Sequence, residues 1–228
     1  MRVLILCAGE GSRWNNNKNV TKHMVVIEGE VLVERTVRQF LKYTDDIVIV
    51  SDGGLPDIPG TSSYIANKSK KHKDMDKFLS SHEQWSDDRT IIVYGDVYFT
   101  DEAVEIIATN HRKWCFFLRD KKSEITGKPW GEIFAFSFDG YFNKVMLQTL
   151  KNIIFRRVVQ DTPLPAGWTL LRYLLGVKKT RDIFVPEHRF AYININDWTE
   201  DFDYPHDLDT WLELRSKYLL TSPPKQGA

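Results

Sequence analysis

An apolar run, Val3–Cys7, passes straight into Ala8-Gly9-Glu10-Gly11-Ser12-Arg13, where bare backbone is followed by a fixed positive charge. Glycines let successive N–H groups turn toward one point and form a nest for an anion, and an arginine guanidinium offers a planar fork for phosphate oxygens. Lys22 adds a second positive charge a little further along. Open α/β sheets bind ligands just beyond the carboxyl ends of their strands, so the position suits the chemistry. Two other phosphate motifs are excluded. A dinucleotide fingerprint needs G-x-G-x-x-G opening a helix, whereas position 14 is Trp and Asn15-Asn16-Asn17-Lys18-Asn19 follows; G-x-x-x-x-G-K-[ST] does not occur. Neither H-x-x-x-H nor G-x-S-x-G is present, which leaves zinc and serine hydrolysis without support. Taken alone, two glycines after a strand are more often only an ordinary tight turn.

The order of features along residues 1–50 resembles the N-terminal signature of the nucleotidyltransferases that make sugar nucleotides and CDP-alcohols on a GT-A-like fold. L-C-A-G-x-G-S-R comes first, then Lys22-His23-Met24, then I-x-G-x-x-L-V-E-R-T ahead of a helix. The resemblance implies that the strand end and the glycine loop hold the nucleotide, through Leu6, Ala8, Gly9, Gly11 and Ser12, with Gly95 of a later strand end. It implies Arg13 on the leaving phosphates and Lys22 on the phosphates around the reacting centre. The chain departs from the family in having Thr21 where a Pro commonly precedes the lysine, and Trp14 with three asparagines in place of a more apolar loop.

Such a reaction joins two polyanions, which calls for a divalent ion held by oxygen ligands. Asp96, in VYGDVYF, follows a buried strand and a glycine, and Thr100 is already the cap of the next helix. Asp203 lies in TEDFDYPHDLDTW; with Pro205 as first helical residue, Tyr204 is the cap and Asp203 stands outside it, the alternative being that Asp203 is the cap itself. The stretch D-F-D-x-P-x-D-L is similar to the family's D-I-D-T-P-E-D-L segment, whose second Asp binds metal. The resemblance therefore implies Asp96 and Asp203 about one Mg²⁺, with Asp201 as the alternative ligand. Asp207 falls in the helix's first turn, where the dipole favours it. Glu132, in KPWGEIFAF, is implied to face the acceptor, although an exposed strand-edge glutamate fits the residues as well. Trp130 and Trp168 could stack on a base or a choline-like cation, or could belong to the core.

These residues need a frame. Val3–Cys7, Ile47–Val50, Thr90–Tyr94 and Trp114–Leu118 read as buried strands, and Ile133–Phe138 and Phe190–Ile195 as further ones. Residues 31–43 pattern as an amphipathic helix with Val33, Val37, Phe40 and Leu41 on one face and Glu34 four residues before Arg38. Helices are also expected over about 74–85, from Thr100, over about 141–151, around WTLLRYLLG and from Pro205. Residues 53–73 and 121–129 read as loops, the latter polar. Strand and helix alternate in the first half and mix in the second, which predicts a three-layer α/β/α sandwich on a mixed, mostly parallel, Rossmann-like sheet.

At 228 residues with 42% hydrophobic side chains the chain fits one domain, divided into a nucleotide-binding half (1–120) and an acceptor-binding half (121–220) before a flexible tail (221–228). Lys plus Arg equals Asp plus Glu at 31, so no basic field draws the chain to nucleic acid or to an anionic membrane. Cys7 and Cys115, each in an apolar run, read as reduced buried thiols, and no segment reaches the length of a membrane span. A cytoplasmic monomer or homodimer is expected. The predicted activity is Mg²⁺-dependent transfer of a nucleotide from an NTP to a phosphorylated small molecule such as a sugar 1-phosphate or phosphocholine, with release of pyrophosphate. A glycosyltransferase using Asp201-Phe202-Asp203 as its D-x-D, and a silent nucleotide-binding domain, are the alternatives.

Overall fold

Alternation within β1 (Arg2–Leu6) sets the architecture: Leu4 and Leu6 pack on one side of the sheet, Val3 and Ile5 on the other, and both sides are covered. The computed structural model describes residues 1–9, 11, 13–14, 20–66, 78–160, 166–176 and 191–221. A short hairpin, β2 (Val26–Ile27) and β3 (Glu30–Val31), leads into α1 (Leu32–Phe40). Next come β4 (Ile47–Ser51), β5 (Ser62–Ile65), β6 (Arg89–Tyr94), β7 (Val97–Tyr98), α2 (Asp101–Thr109), β8 (Trp114–Arg119) and β9 (Glu132–Asp139). The chain closes with α3 (Asn143–Gln160), α4 (Ala166–Leu174), β10 (Tyr192–Asn194), β11 (Glu200–Asp201) and α5 (Pro205–Thr221).

The main sheet has the order β10-β8-β9-β6-β1-β4-β5. All its pairings are parallel except those of β9, which runs antiparallel to both β6 and β8. One apolar layer joins Leu4, Val48, Ile92, Phe116 and Phe136 to Met146, Leu150 and Ile153 of α3 and to Leu170 and Leu171 of α4. The opposite layer joins Ile5, Ile49, Val93 and Phe117 to Val33, Val37 and Phe40 of α1 and to Val104 and Ile107 of α2. This is the expected three-layer α/β/α sandwich. A third cluster, Trp14, Ile27, Leu32, Tyr98, Phe202, Leu208 and Trp211, is separate from both. No helix among the described residues is long and apolar enough to cross a membrane.

Local differences from the sequence reading have physical causes. Ser62–Ile65 is a strand within the stretch read as loop; as the sheet edge it has one neighbour, and exposed Ser62, Ser63 and Ile65 leave no apolar pattern. The chain pairs Arg38 with Glu30, at 2.7 and 2.9 Å, in place of Glu34 one turn away, because the hairpin brings Glu30 beside the helix. Leu41, expected on the buried face, is exposed because α1 ends before it. α3 runs on to Gln160, beyond the expected end. The start of the helix expected from 74, the DTPLP stretch, Phe190 and the tail from 222 lie outside the described residues.

Thr100 caps α2 as its sequence predicts: its Oγ1 accepts the Ala103 N–H at 3.0 Å and donates to Asp197 at 2.5 Å. Thr100→Ala should therefore lower the unfolding free energy by about 1–2 kcal/mol, read by urea denaturation. A change within experimental error would show that the cap contributes nothing.

Candidate functional site

β1 ends between β6 and β4 and is tied to both at its end: Gly95 N–H, just beyond β6, donates to Leu6 O at 3.0 Å, and Cys7 N–H donates to Val50 O of β4 at 2.7 Å. Position 95 must be glycine for this approach, since a Cβ there would collide with Cys7 Sγ and lie 3.2 Å from Leu6 O. Asp96 thus leaves the sheet directly against the end of β1. Antiparallel pairing of β7 with β11 sets Asp201 opposite Val97 and Glu200 opposite Tyr98. That ladder carries the D-F-D segment to Asp96.

The cations arrive from separate loops. Lys22 opens a turn of 3₁₀ helix, and its largely buried ammonium stands 3.2 Å from Asp96 Oδ2 and 3.7 Å from Asp203 Oδ1. Arg13 Nη1 donates to Asp203 Oδ2 at 2.8 Å. Lys128, only 6% exposed, donates to the Asp201 carbonyl at 2.6 Å. Its ammonium also lies 3.6 Å from the Asp201 and Asp207 carboxylates and 3.9 Å from Asp203. Asp207 in turn accepts the Tyr204 N–H at 3.0 Å at the start of α5, the helix-terminus role expected of it.

Crowding of charge shifts these groups. Burial works against the Lys22 ammonium, but Asp96, Asp201 and Asp203 together hold its pKa above that of an ordinary lysine. Lys128 behaves the same way, with Asp201 and Glu132 its strongest supports. The Arg13 guanidinium is raised mainly by Asp203. Burial, with Asp96 beside it, pushes Asp201 up to about 7 against the pull of Lys128 and Lys22. Glu132, at the start of β9, lies well above the usual carboxylate range because of burial and the Asp201 charge.

A single ammonium within reach of Asp96 and Asp203 means that one cation can engage both carboxylates. Hard oxygen donors of this kind suit Mg²⁺, which takes one or two protein carboxylates and completes its shell with phosphate oxygens and water. No group of three or more His, Cys, Asp or Glu side chains among the described residues forms a metal cage.

Residues 3–134 match the model of the MobA-like NTP transferase domain, more than half of the chain. The chain belongs to this family of nucleotidyltransferases. No curated protein sequence matches it. Its fold is similar to that of a Bacillus anthracis protein assigned as a glucose-1-phosphate thymidylyltransferase, solved with sucrose, at TM-score 0.63 and 13% identity over 94% of both chains. It is similar also to the CTP:phosphocholine cytidylyltransferase of Streptococcus pneumoniae, at TM-score 0.60 and 12% identity over 94% of this chain and 98% of that one. The inositol-1-phosphate CTP transferase of T. maritima gives TM-score 0.58 and 13% identity over 97% of both. At such identities these likenesses establish the fold.

Of the residues singled out in the sequence, Arg13, Lys22, Asp96 and Asp203 meet directly, and Glu132 lies within the same electrostatic environment. Leu6 and Ala8 are buried, so what they offer a ligand is backbone. Gly9 lies at the strand end, and Gly11, at φ 55°, accepts the Trp14 N–H at 2.8 Å. Ser12 lies outside the described residues. Trp130 is 49% exposed, whereas Trp168 packs against the first apolar layer. Trp14 turns inward to the third cluster, with its Nε1 donating to Val20 O at 3.1 Å.

Sequence reasoning missed Lys128 and the pair behind it. Glu200 is fully buried and accepts both Arg119 Nη atoms at 3.0 Å, Ser123 Oγ at 2.6 Å and Thr126 Oγ1 at 3.2 Å. It anchors the loop that delivers Lys128 and the strand that delivers Asp201. A buried carboxylate so fully paired adds little net stability, yet removing one partner strands a charge. Glu200→Ala should cost about 3–5 kcal/mol in unfolding free energy, seen as a lowered denaturation midpoint. A midpoint equal to wild type would mean that Arg119 finds a replacement partner.

Proposed function

We propose that this chain transfers a nucleotide from an NTP to a phosphorylated small molecule, in a Mg²⁺-dependent reaction that releases pyrophosphate. The observation that carries the proposal is the meeting of Arg13, Lys22, Asp96 and Asp203 at the adjoining ends of β1 and β6, next to the glycine loop. Family membership favours this reading over a glycosyltransferase or a silent nucleotide-binding domain.

The chemistry asks for positioning and charge neutralisation rather than a covalent intermediate. The glycine loop presents backbone N–H groups to the triphosphate, and Arg13 neutralises the pyrophosphate as it departs. Lys22 steadies the α-phosphate while the acceptor's phosphate attacks in line. Bound between Asp96 and Asp203, Mg²⁺ would supply Lewis-acid stabilisation of the phosphate oxygens. Lys22 and Lys128 balance the carboxylates that would hold the ion. Trp130 and Glu132 are assigned to the acceptor side. Acceptors named for the structural neighbours, glucose 1-phosphate, phosphocholine and inositol 1-phosphate, define the panel to try.

A thermal-shift screen of the four NTPs with Mg²⁺ should identify the donor, because a ligand that binds only the folded state raises apparent stability. With that donor, wild type should release pyrophosphate in the presence of an accepted phosphate, and Asp96→Ala should lose about 10² to 10³ in kcat while retaining its circular dichroism spectrum. Normal turnover by Asp96→Ala would remove Asp96 from the site. Tight NTP binding without turnover across the panel would leave the silent domain as the reading.

A further inference from the structure

The turn between β2 and β3 consists of Glu28 and Gly29, with φ of 53° and 82°. Two-residue turns of this kind favour Asn or Asp before Gly, because short polar side chains tolerate the left-handed backbone. Glu28 is the only non-glycine residue with positive φ among the described residues. Strained backbone persists where the surrounding structure over-determines it, so the contacts of Glu28 are what require explanation.

What glutamate provides here is reach, one methylene more than Asn. Glu28 Oε2 accepts the Tyr98 O–H at 2.6 Å, and Oε1 accepts Arg215 Nε at 3.0 Å. Tyr98 is fully buried two residues after Asp96, and Arg215 lies on α5, the helix that follows Asp203. Both partners are held independently. The Arg215 guanidinium lies 5.2 Å from the Trp198 ring and 5.9 Å from that of Trp211, while Arg35 stands 4.6 Å over the Tyr98 ring. Burial opposes the Glu28 carboxylate, yet the hydrogen bonds from Tyr98 and Arg215 hold its pKa below the ordinary range. A single carboxylate thus joins the hairpin after Lys22, the strand after Asp96 and the helix after Asp203. Little separates the hairpin from Lys22: the Lys22–Met24 turn runs directly into β2, and Leu32 N–H donates back to Val25 O at 2.9 Å.

We infer that Glu28 is a positioning residue for Lys22, locking the hairpin to β7 and α5 so that the Lys22 ammonium is held against Asp96 and Asp203. Its consequence for catalysis rests on the nucleotidyl-transfer reading above. The competing account is that Glu28 merely stabilises the third apolar cluster, and the two differ in what they predict for Lys22.

Glu28→Asn relaxes the turn but removes the reach; Glu28→Gln keeps the reach and an acceptor oxygen. In Glu28→Asn, kcat for pyrophosphate release should fall on the order of tenfold to a hundredfold, with KM for the NTP changed less than about twofold. Lys22 should be acetylated faster by acetic anhydride in this variant than in wild type, as read by mass spectrometry of the folded protein. Glu28→Gln should recover most of both properties. Wild-type kcat in Glu28→Asn, or Lys22 acetylation no faster than wild type, overturns the inference. If Glu28→Asn does not fold, Arg215→Met carries the same two measurements, with the same expected changes and the same overturning results. If wild type releases no pyrophosphate with any donor and acceptor, the transfer reading fails, and the acetylation comparison alone then decides whether Glu28 positions Lys22.

Discussion

Charges that cannot stand alone in a partly buried volume organise this protein. Asp96, Asp201, Asp203 and Glu132 crowd together near the ends of β1 and β6, and they are tolerated there because Lys22, Lys128 and Arg13 are brought among them. Neither set is stable in that place without the other. Under the proposed function, phosphates would engage the cations and Mg²⁺ the carboxylates. A balanced cluster exchanges partners with less electrostatic penalty than a site carrying one sign of charge.

The frame that holds this balance is the small third cluster rather than the large layers on the main sheet. Trp14 follows Arg13, Ile27 lies on the hairpin after Lys22, Tyr98 comes shortly after Asp96, and Phe202 stands between Asp201 and Asp203. Arg13, Lys22, Asp96, Asp201 and Asp203 are therefore each attached within a few residues to a side chain in a common apolar cluster. Trp211 packs at its centre, 4.5 Å from the Tyr98 ring and 5.8 Å from that of Phe202. Trp14, one of this chain's departures from the family's usual glycine loop, is a buried anchor of this cluster. Glu28 closes the cluster's polar edge.

Much of the frame was legible in the sequence because it depends on local pattern. Val3–Cys7, Ile47–Val50 and Thr90–Tyr94 are apolar at successive positions, and only a strand buried on both faces suits such a run. Pro205 and Asp207 marked the start of α5, and Thr100 marked that of α2. Edge strand β5 and the two-residue strands β7 and β11 were not legible, since they have too few residues to express a period and are defined by their partners. Of the site, Arg13, Asp96 and Asp203 could be selected because they sit near glycines, a proline and strand ends, and Lys22 because of its place in the family's order of motifs. Lys128 and Glu200 could not. A lysine in a polar loop and a glutamate among acidic neighbours look solvated until the fold shows them buried and paired.

The sequence by itself determined the long buried strands and the helices between them, the family to which the chain belongs, and the charged residues that were singled out as candidates. Those properties follow from residue type and spacing within a few turns of chain. Only the tertiary structure decided that Lys22 bridges Asp96 and Asp203, that Lys128 joins them, that Trp14 is a buried anchor, and that Glu28 ties hairpin, strand and helix together. These are contacts between segments remote in sequence. Their geometry is set by how β7 pairs with β11 and how the third cluster packs, and no local pattern encodes either.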